Sequence, residues 1–281
     1  MNRLDAHRHF YADLITASAG AMKNERLKDA FASTPRERFV GKGPWKVLVG
    51  GNWLETPTDD PAFLYQDVLV ALASDRGINN GQPVLHALNL AALNVKPGED
   101  ILHVGAGTGY YTAMLARLTG TTGSVVAYEI EHDLAEDAMR NLGDLSHVTV
   151  LKRSGSEAPL PVCDAIYVNA GATAPLDVWL DALSVDGRLL FPLTPADGPG
   201  EMHGAGGMLL VTRTGSDDFD ARFVCSAKFV PCFGARDVEM AQKLATAFTR
   251  GDWQNVKSLR RNSQPDDTCW CAGKGWWLSK S

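Results

Sequence analysis

Nowhere in the 281 residues does an apolar run approach the roughly 18 uncharged positions that a membrane-spanning helix requires. The N-terminal stretch Met1-Asn2-Arg3-Leu4-Asp5-Ala6-His7-Arg8-His9 also lacks the apolar core of a signal peptide, so a cytoplasmic protein without a membrane partner is expected. Basic residues are in the minority, 27 Lys and Arg against 33 Asp and Glu, for a net charge of -6. That balance argues against nucleic acid as a partner, because phosphate binding shows up as a basic excess. The one local basic stretch, Lys257 to Arg261, reads as a solvated helix face. Cysteines are few, odd in number and unpaired: Cys163, Cys225, Cys232, Cys269 and Cys271 form no C-x-x-C. Only Trp270 separates the last two, which is not a zinc-ligand spacing, so no metal site and reduced, buried thiols are expected. Internal repeats and low-complexity tracts are absent as well.

What is present is a globular composition, 45% hydrophobic and 21% charged, with a change of pattern along the chain. Residues 11–31 read as helical, since Leu14, Ala17, Ala21, Leu27 and Phe31 recur at near-helical spacing. Pro35 breaks that pattern. Residues 41–61, rich in Gly, Pro, Trp and Asp, read as loops with short extended pieces, and 63–72 as either a strand or a short helix. The turn signal Asn79-Asn80-Gly81-Gln82-Pro83 precedes a helix over 84–93, with Pro83 at its first position.

From Asp100 short apolar strands alternate with helices. Strands are predicted at 101–104, 124–128, 148–151, 165–168 and 188–192, the last after the turn Asp186-Gly187. Helices are predicted at 110–118, 134–142 and 176–183. This alternation predicts an α/β, Rossmann-like, doubly wound and mostly parallel sheet. After Gly198-Pro199-Gly200 the character changes again. Antiparallel strands are expected at 208–213 and 223–231, then a helix at 238–249 and a Trp-rich end. The expected organisation is therefore an N-terminal helical, acceptor-side segment (1–97), a nucleoside-binding core (98–197) and a C-terminal β/α extension (198–281).

The motif richest in chemistry is Val104-Gly105-Ala106-Gly107-Thr108-Gly109-Tyr110, set between a predicted strand and a predicted helix. Glycines there allow a tight turn and let a ligand lie against the main chain. Glu129 closes the next strand about 20 residues on, where an acidic side chain accepts ribose hydroxyls. The spacing G-x-G-x-G, rather than G-x-G-x-x-G, favours S-adenosyl-L-methionine (SAM) over NAD. Gly105, Ala106, Gly107, Thr108, Gly109, Tyr110, Glu129, Ile130, Ser154 and Gly155 are the expected cofactor-binding residues.

Residues 31–193 resemble the protein-L-isoaspartate O-methyltransferase family of class I methyltransferases. Phe31-Ala32-Ser33-Thr34-Pro35-Arg36-Glu37-Arg38-Phe39-Val40 is similar to the family's P-R-E-x-F-V segment, and Gly109-Tyr110 followed by Thr112-Ala113 to its glycine loop. Asp164-Ala165-Ile166-Tyr167-Val168 and Gly187-Arg188-Leu189-Leu190-Phe191-Pro192 resemble its later strands. The resemblance implies a SAM-dependent methyltransferase acting on a carboxylate or another polar nucleophile of a peptide, protein or small molecule. Three positions depart from the family pattern. Gly81 stands where the family carries an acceptor-side Ser, Ser154 where it carries the Asp that meets the adenine, and His103 where an acidic residue precedes the loop. A cation at position 103 would face the cofactor's own positive charge, so His103 is expected to be neutral there. Past Leu193 the resemblance fades, and Phe233-Gly234-Ala235-Arg236-Asp237 and the tryptophans of the tail read as additions.

A carboxylate acceptor is already ionised at neutral pH and needs no general base. A hydroxyl or amine would need one, for which His86 and His103 are candidates. Asn80 and Gln82 are the candidate catalytic residues, with amides able to orient the acceptor, and Asn169 follows a strand end where α/β sheets place ligand contacts. True isoaspartyl repair, a SAM-binding scaffold without turnover and, more remotely, an NAD-dependent oxidoreductase are the competing readings. The tail tryptophans either cap the acceptor pocket or cover an apolar face.

Overall fold

The computed structural model describes residues 2–195 and 206–281. The expected change of character at Gly198-Pro199-Gly200 and the 197/198 boundary lie outside the described residues. Instead of one helix over 11–31 there are two, α1 (Arg3–Ser18) and α2 (Glu25–Ser33). The break falls at Gly20, whose φ of +68° ends the first, and Asn24 caps the second by accepting the Leu27 N–H. Residues 41–61 contain a hairpin of β1 (Lys46–Val49) and β2 (Asn52–Glu55). Its two-residue turn is Gly50-Gly51, both at positive φ, as a twisted tight hairpin requires. The ambiguous stretch 63–72 is a 3₁₀ turn, Pro61–Leu64, and then a strand, β3 (Leu69–Ala73), followed by the short β4 (Ile78–Asn79). Helix α3 (Pro83–Leu93) starts on Pro83 and ends on Asn94 in the left-handed region.

The alternating part comprises β5 (Asp100–Val104), α4 (Tyr110–Thr119), β6 (Ser124–Tyr128), α5 (His132–Asn141), β7 (Val148–Leu151), β8 (Cys163–Val168), α6 (Asp177–Ala182) and β9 (Leu183–Leu193). Strand β9 begins before, not after, the turn expected at Asp186-Gly187, and its pairing with β8 is irregular there. Next come β10 (Gly206–Arg213), β11 (Asp218–Ala227), α7 (Val238–Arg250), β12 (Ser258–Arg261), β13 (Cys269–Gly273) and β14 (Trp276–Ser279). Strand β11 lies earlier than the expected 223–231, because its first half alternates rather than running apolar. Phe219, Ala221 and Phe223 are buried, with Asp218, Asp220 and Arg222 between them exposed. The basic stretch ending at Arg261 lies on β12, not on a helix, and Arg261 pairs with Asp177 and Asp181.

The chain forms two compact units. One comprises Met1–Glu99 and Ala106–Arg153. It holds an antiparallel sheet in the order β2-β1-β3-β4, the parallel pair β6 and β7, and the helices α1 to α5. Its interior includes the edge-on contacts of Tyr11 with Phe31 and Tyr65, and a cluster of Val40, Trp45, Val47, Leu64 and Val70. The other unit comprises Asp100–Gly105 and Ser154–Ser281. In it β5, β8 and β9 run parallel, and β10, β11, β12, β14 and β13 extend the sheet antiparallel. Trp270 packs edge-on against Phe223 and Phe248, so the tail tryptophan nearest α7 is core rather than a pocket lid. Among the described residues no helix is long and apolar enough to cross a membrane.

Candidate active site

In the first unit the glycine loop leads into α4. Gly107 and Gly109 have φ of +56° and +97°, a conformation that side chains rarely tolerate. The Ala106 N–H is held by the Tyr128 carbonyl at the end of β6, which ties the loop to the strand that carries Glu129. The Glu129 carboxylate is buried, 6% exposed, and accepts the Gly107 N–H at 2.6 Å on one oxygen and the Glu131 N–H at 2.9 Å on the other. Burial raises its pKa above the ordinary value of 4.5, and the N–H groups of Glu131 and Gly107 oppose that rise. No cation pairs with it among the described residues. The Ile130 N–H is a third backbone donor to this carboxylate, so the group is held firmly beside the loop with acceptor capacity left for a hydroxyl. Ile130 beside it is 39% exposed, an apolar side chain left open next to that carboxylate.

Other loop residues are tied into the scaffold. The Thr108 hydroxyl donates to the Phe39 carbonyl, and the Thr108 carbonyl accepts from Asn141. A Cβ on Gly109 would lie 2.8 Å from Leu142, so α5 sets the loop's far wall. The Tyr110 ring is buried against Phe39 and Tyr111, which leaves the backbone of residue 110 as its contribution to the loop.

The turn 79–82 lies beside the same helix start. Tyr111, two residues past Gly109, stacks flat on His86 at 3.6 Å between ring centroids. A Cβ on Gly107 would meet Leu72 of β3 at 3.6 Å. Asn79 closes the turn by accepting the Gly81 N–H. Asn80 is 7% exposed, and its Oδ1 accepts from Arg36 at 2.9 Å. With the carbonyl oxygen so fixed, the Asn80 Nδ2 is a buried donor without a partner among the described residues. Gln82 differs: its amide donates to Asp67 at 2.8 Å and steadies the start of α3.

Two contributors carry no motif of their own. Arg36 is fully buried and donates to the Leu64, Gln66 and Val68 carbonyls besides Asn80, which orients that amide. Its place in the Pro35-Arg36-Glu37 segment was the available signal. Asp67 caps α3 from outside the helix, accepting the Val84 N–H at 2.8 Å, and a cap so distant in sequence leaves no local pattern.

In the second unit Gly105, at φ +78°, packs against the backbone of Asn169, where a Cβ would lie 3.4 Å away. The Asn169 Nδ2 lies 2.8 Å from His103 Nε2, and the Asn169 Oδ1 is buried without a partner. Burial pushes the His103 pKa down to about 3, so the ring is neutral and accepts that amide hydrogen. Ser154 Oγ accepts the Ser156 N–H at 3.1 Å and shares a hydrogen bond with Ser156 Oγ at 2.7 Å. The Gly155 carbonyl accepts from the buried Trp179 indole, and Ser156 Oγ donates to Phe233. Residues 230–237, read in sequence as an addition, lace onto the loop after β8: Gly171 N–H to Val230, Cys232 N–H to Gly171, Thr173 N–H to Ala235.

Residues 51–236 match the family model of protein-L-isoaspartate(D-aspartate) O-methyltransferase (PCMT). The match runs past Leu193 to Arg236, so the likeness does not fade where the sequence suggested. A protein-L-isoaspartate O-methyltransferase of Methanothermobacter thermautotrophicus is 28% identical over 82% of this chain and 96% of its own. Those of Pelobacter propionicus and Methylorubrum extorquens are 31% and 32% identical over 73% and 76% of this chain, and 81% and 82% of their own. Among solved structures, a protein-L-isoaspartate O-methyltransferase superposes with a TM-score of 0.63 at 21% identity, covering 84% of this chain and 68% of its own. A Plasmodium falciparum protein assigned to the same enzyme and solved with S-adenosyl-L-homocysteine gives 0.62 at 18% identity, covering 80% and 97%. These likenesses share the Rossmann-like α/β fold. The chain belongs to the protein-L-isoaspartate(D-aspartate) O-methyltransferase family and is a SAM-dependent methyltransferase.

Proposed function

We propose that this enzyme methylates a carboxylate of a peptide or protein, with the isoaspartyl carboxylate named by its relatives as the acceptor. The reading rests on one observation above the others. A buried, cation-free carboxylate, Glu129, and a buried, partnerless amide donor, Asn80 Nδ2, belong to the same compact unit, whose loop and turn meet at the start of α4. SAM supplies a methyl carbon made electrophilic by its sulfonium. Glu129 holds the ribose hydroxyls, and the loop glycines 107 and 109, with the backbone of Ala106, Thr108 and Tyr110, give main-chain contact without side chains in the way. Ile130, exposed beside that carboxylate, covers the adenine.

On the acceptor side Asn80 donates to one oxygen of the carboxylate and so aims the other. An ionised carboxylate needs no base, and fixing its approach is the main work left to the protein. Gln82 contributes through the turn it braces at Asp67. The test is calorimetric titration with SAM and S-adenosyl-L-homocysteine, followed by a methyl ester assay on an isoaspartyl peptide. Micromolar binding and base-labile methylation are expected. Binding of neither nucleoside would refute the site. Binding without methylation would refute the acceptor.

A further inference from the structure

Three carboxylates, Glu129, Glu131 and Asp133, stand within five residues at the turn from β6 into α5. Glu129 pairs with no cation among the described residues, but the other two share one. The Arg76 guanidinium forks onto Asp133, Nη1 to Oδ1 at 3.1 Å and Nη2 to Oδ2 at 2.5 Å, and its Nη1 also donates to Glu131 Oε2. Arg76 comes from a distant part of the same compact unit: it ends the 3₁₀ turn Ser74–Arg76 that joins β3 to β4, just ahead of Asn79 and Asn80. The Glu131 backbone in turn donates its N–H to Glu129 Oε1 at 2.9 Å. A continuous chain of contacts thus runs from Arg76 through Glu131 to the carboxylate of Glu129. The ion pairs stay open to water, with side-chain exposures of 34% for Arg76, 36% for Glu131 and 61% for Asp133.

We propose that Arg76 is a positioning residue for the nucleoside: by holding the Glu131 and Asp133 side chains together it fixes the 129–133 turn in the conformation in which Glu129 meets the ribose. This rests on the ribose-holding role of Glu129 given above, and not on the choice of acceptor. Three like charges at alternate positions repel one another, and the guanidinium offsets that repulsion for two of them while leaving the third to the hydroxyls. The planar fork matters as well as the charge, because a guanidinium meets both Asp133 oxygens at once and an ammonium does not. Glu131 opens α5 without a side-chain hydrogen bond to the helix's free N–H groups, so its carboxylate serves Arg76 rather than the helix start.

The test titrates wild type, Arg76→Met, Arg76→Lys and Glu129→Ala with S-adenosyl-L-homocysteine, with melting temperature measured for each. Arg76→Met is expected to bind about three- to ten-fold more weakly, since the effect is limited to what exposed, screened ion pairs contribute to holding the turn. Arg76→Lys, which keeps the charge without the fork, is expected to fall between the two, and melting temperatures to stay near wild type. Salt supplies a readout that packing would not move: from about 0.05 M to about 1 M the wild type should weaken towards Arg76→Met, whose own affinity changes less. In a Glu131→Gln, Asp133→Asn background, Arg76→Met should cost less than about two-fold more. Wild-type affinity in Arg76→Met, or the same salt dependence there as in wild type, would overturn the proposal. So would a full further loss in the doubly substituted background, which would make Arg76 a direct contact of the nucleoside. Wild-type affinity in Glu129→Ala would overturn the ribose reading and this one with it, whereas a loss there with none in Arg76→Met would overturn this one alone.

Discussion

Replacing Glu129 by alanine separates the ligand's share of this carboxylate from the scaffold's. The side chain accepts backbone N–H groups from Gly107, Glu131 and Ile130, and in the proposed complex the two ribose hydroxyls. A hydrogen bond to a charged group contributes about 1.5–3 kcal/mol, so losing both hydroxyl contacts costs about 3–6 kcal/mol of binding. Nucleoside affinity should therefore fall by about 10²- to 10⁴-fold. Folding loses less, because removing the side chain also relieves the burial of a charge. Burial raises the Glu129 pKa, so in the ligand-free protein the ionised form is disfavoured. That unfavourable contribution is absent below the unfolded-state pKa near 4.5 and complete above the raised folded value. The ligand needs the ionised form, so its affinity should weaken on acidification at a pH above 4.5, and Glu129→Ala should lose that dependence. Calorimetry with S-adenosyl-L-homocysteine across pH, alongside urea unfolding, reads both effects. A variant that binds within three-fold of wild type, or keeps the same pH dependence, would refute the reasoning.

Further expectations follow from the scaffold. Arg36→Met strips donors from three carbonyls and the Asn80 amide; at roughly 1 kcal/mol per orphaned acceptor, urea unfolding should show about 4 kcal/mol of destabilisation. A loss under 1 kcal/mol would contradict the anchoring role. Trp270→Ala should cost about 3–5 kcal/mol in the same assay while SAM affinity is retained, since the ring packs on Phe223 and Phe248. Weakened SAM binding with unchanged stability would make it a site residue instead. His103, held down to about 3, stays neutral while an unfolded-state histidine near 6.5 takes up a proton. Its contribution to stability is complete above 6.5 and is lost as the pH falls through that value towards 3, by at most about 1.4 kcal/mol per pH unit. His103→Gln should flatten that part of the stability profile, and an unchanged slope would contradict the burial argument.

Much of the fold was legible because its signals are local. Strand β6 and strand β7 coincide with the apolar runs read at 124–128 and 148–151, and α3 starts on the Pro83 that marked it. The glycine loop and Glu129 announced themselves by spacing. What sequence did not reveal depends on residues far apart. Arg36 reaches three carbonyls and the Asn80 side chain more than 25 positions away, and Asp67 caps a helix that begins at Pro83. The early half of β11 was missed because only every second residue is apolar there. The absence of a side chain at Gly81 was plain in the sequence. That an imidazole fills its place was not, because the left-handed turn brings residue 81 against residue 86 only once α3 is formed.

Methyl transfer from SAM to an isoaspartyl carboxylate is the reaction on which the proposed function stands. It is tested most directly by tandem mass spectrometry of two peptides of one sequence, one isoaspartyl and one aspartyl, incubated together with the enzyme and SAM. A single added methyl group is expected, localised to the isoaspartyl carboxylate, with the aspartyl peptide unchanged. Methylation of neither peptide by a SAM-binding enzyme, or of both equally, would contradict it.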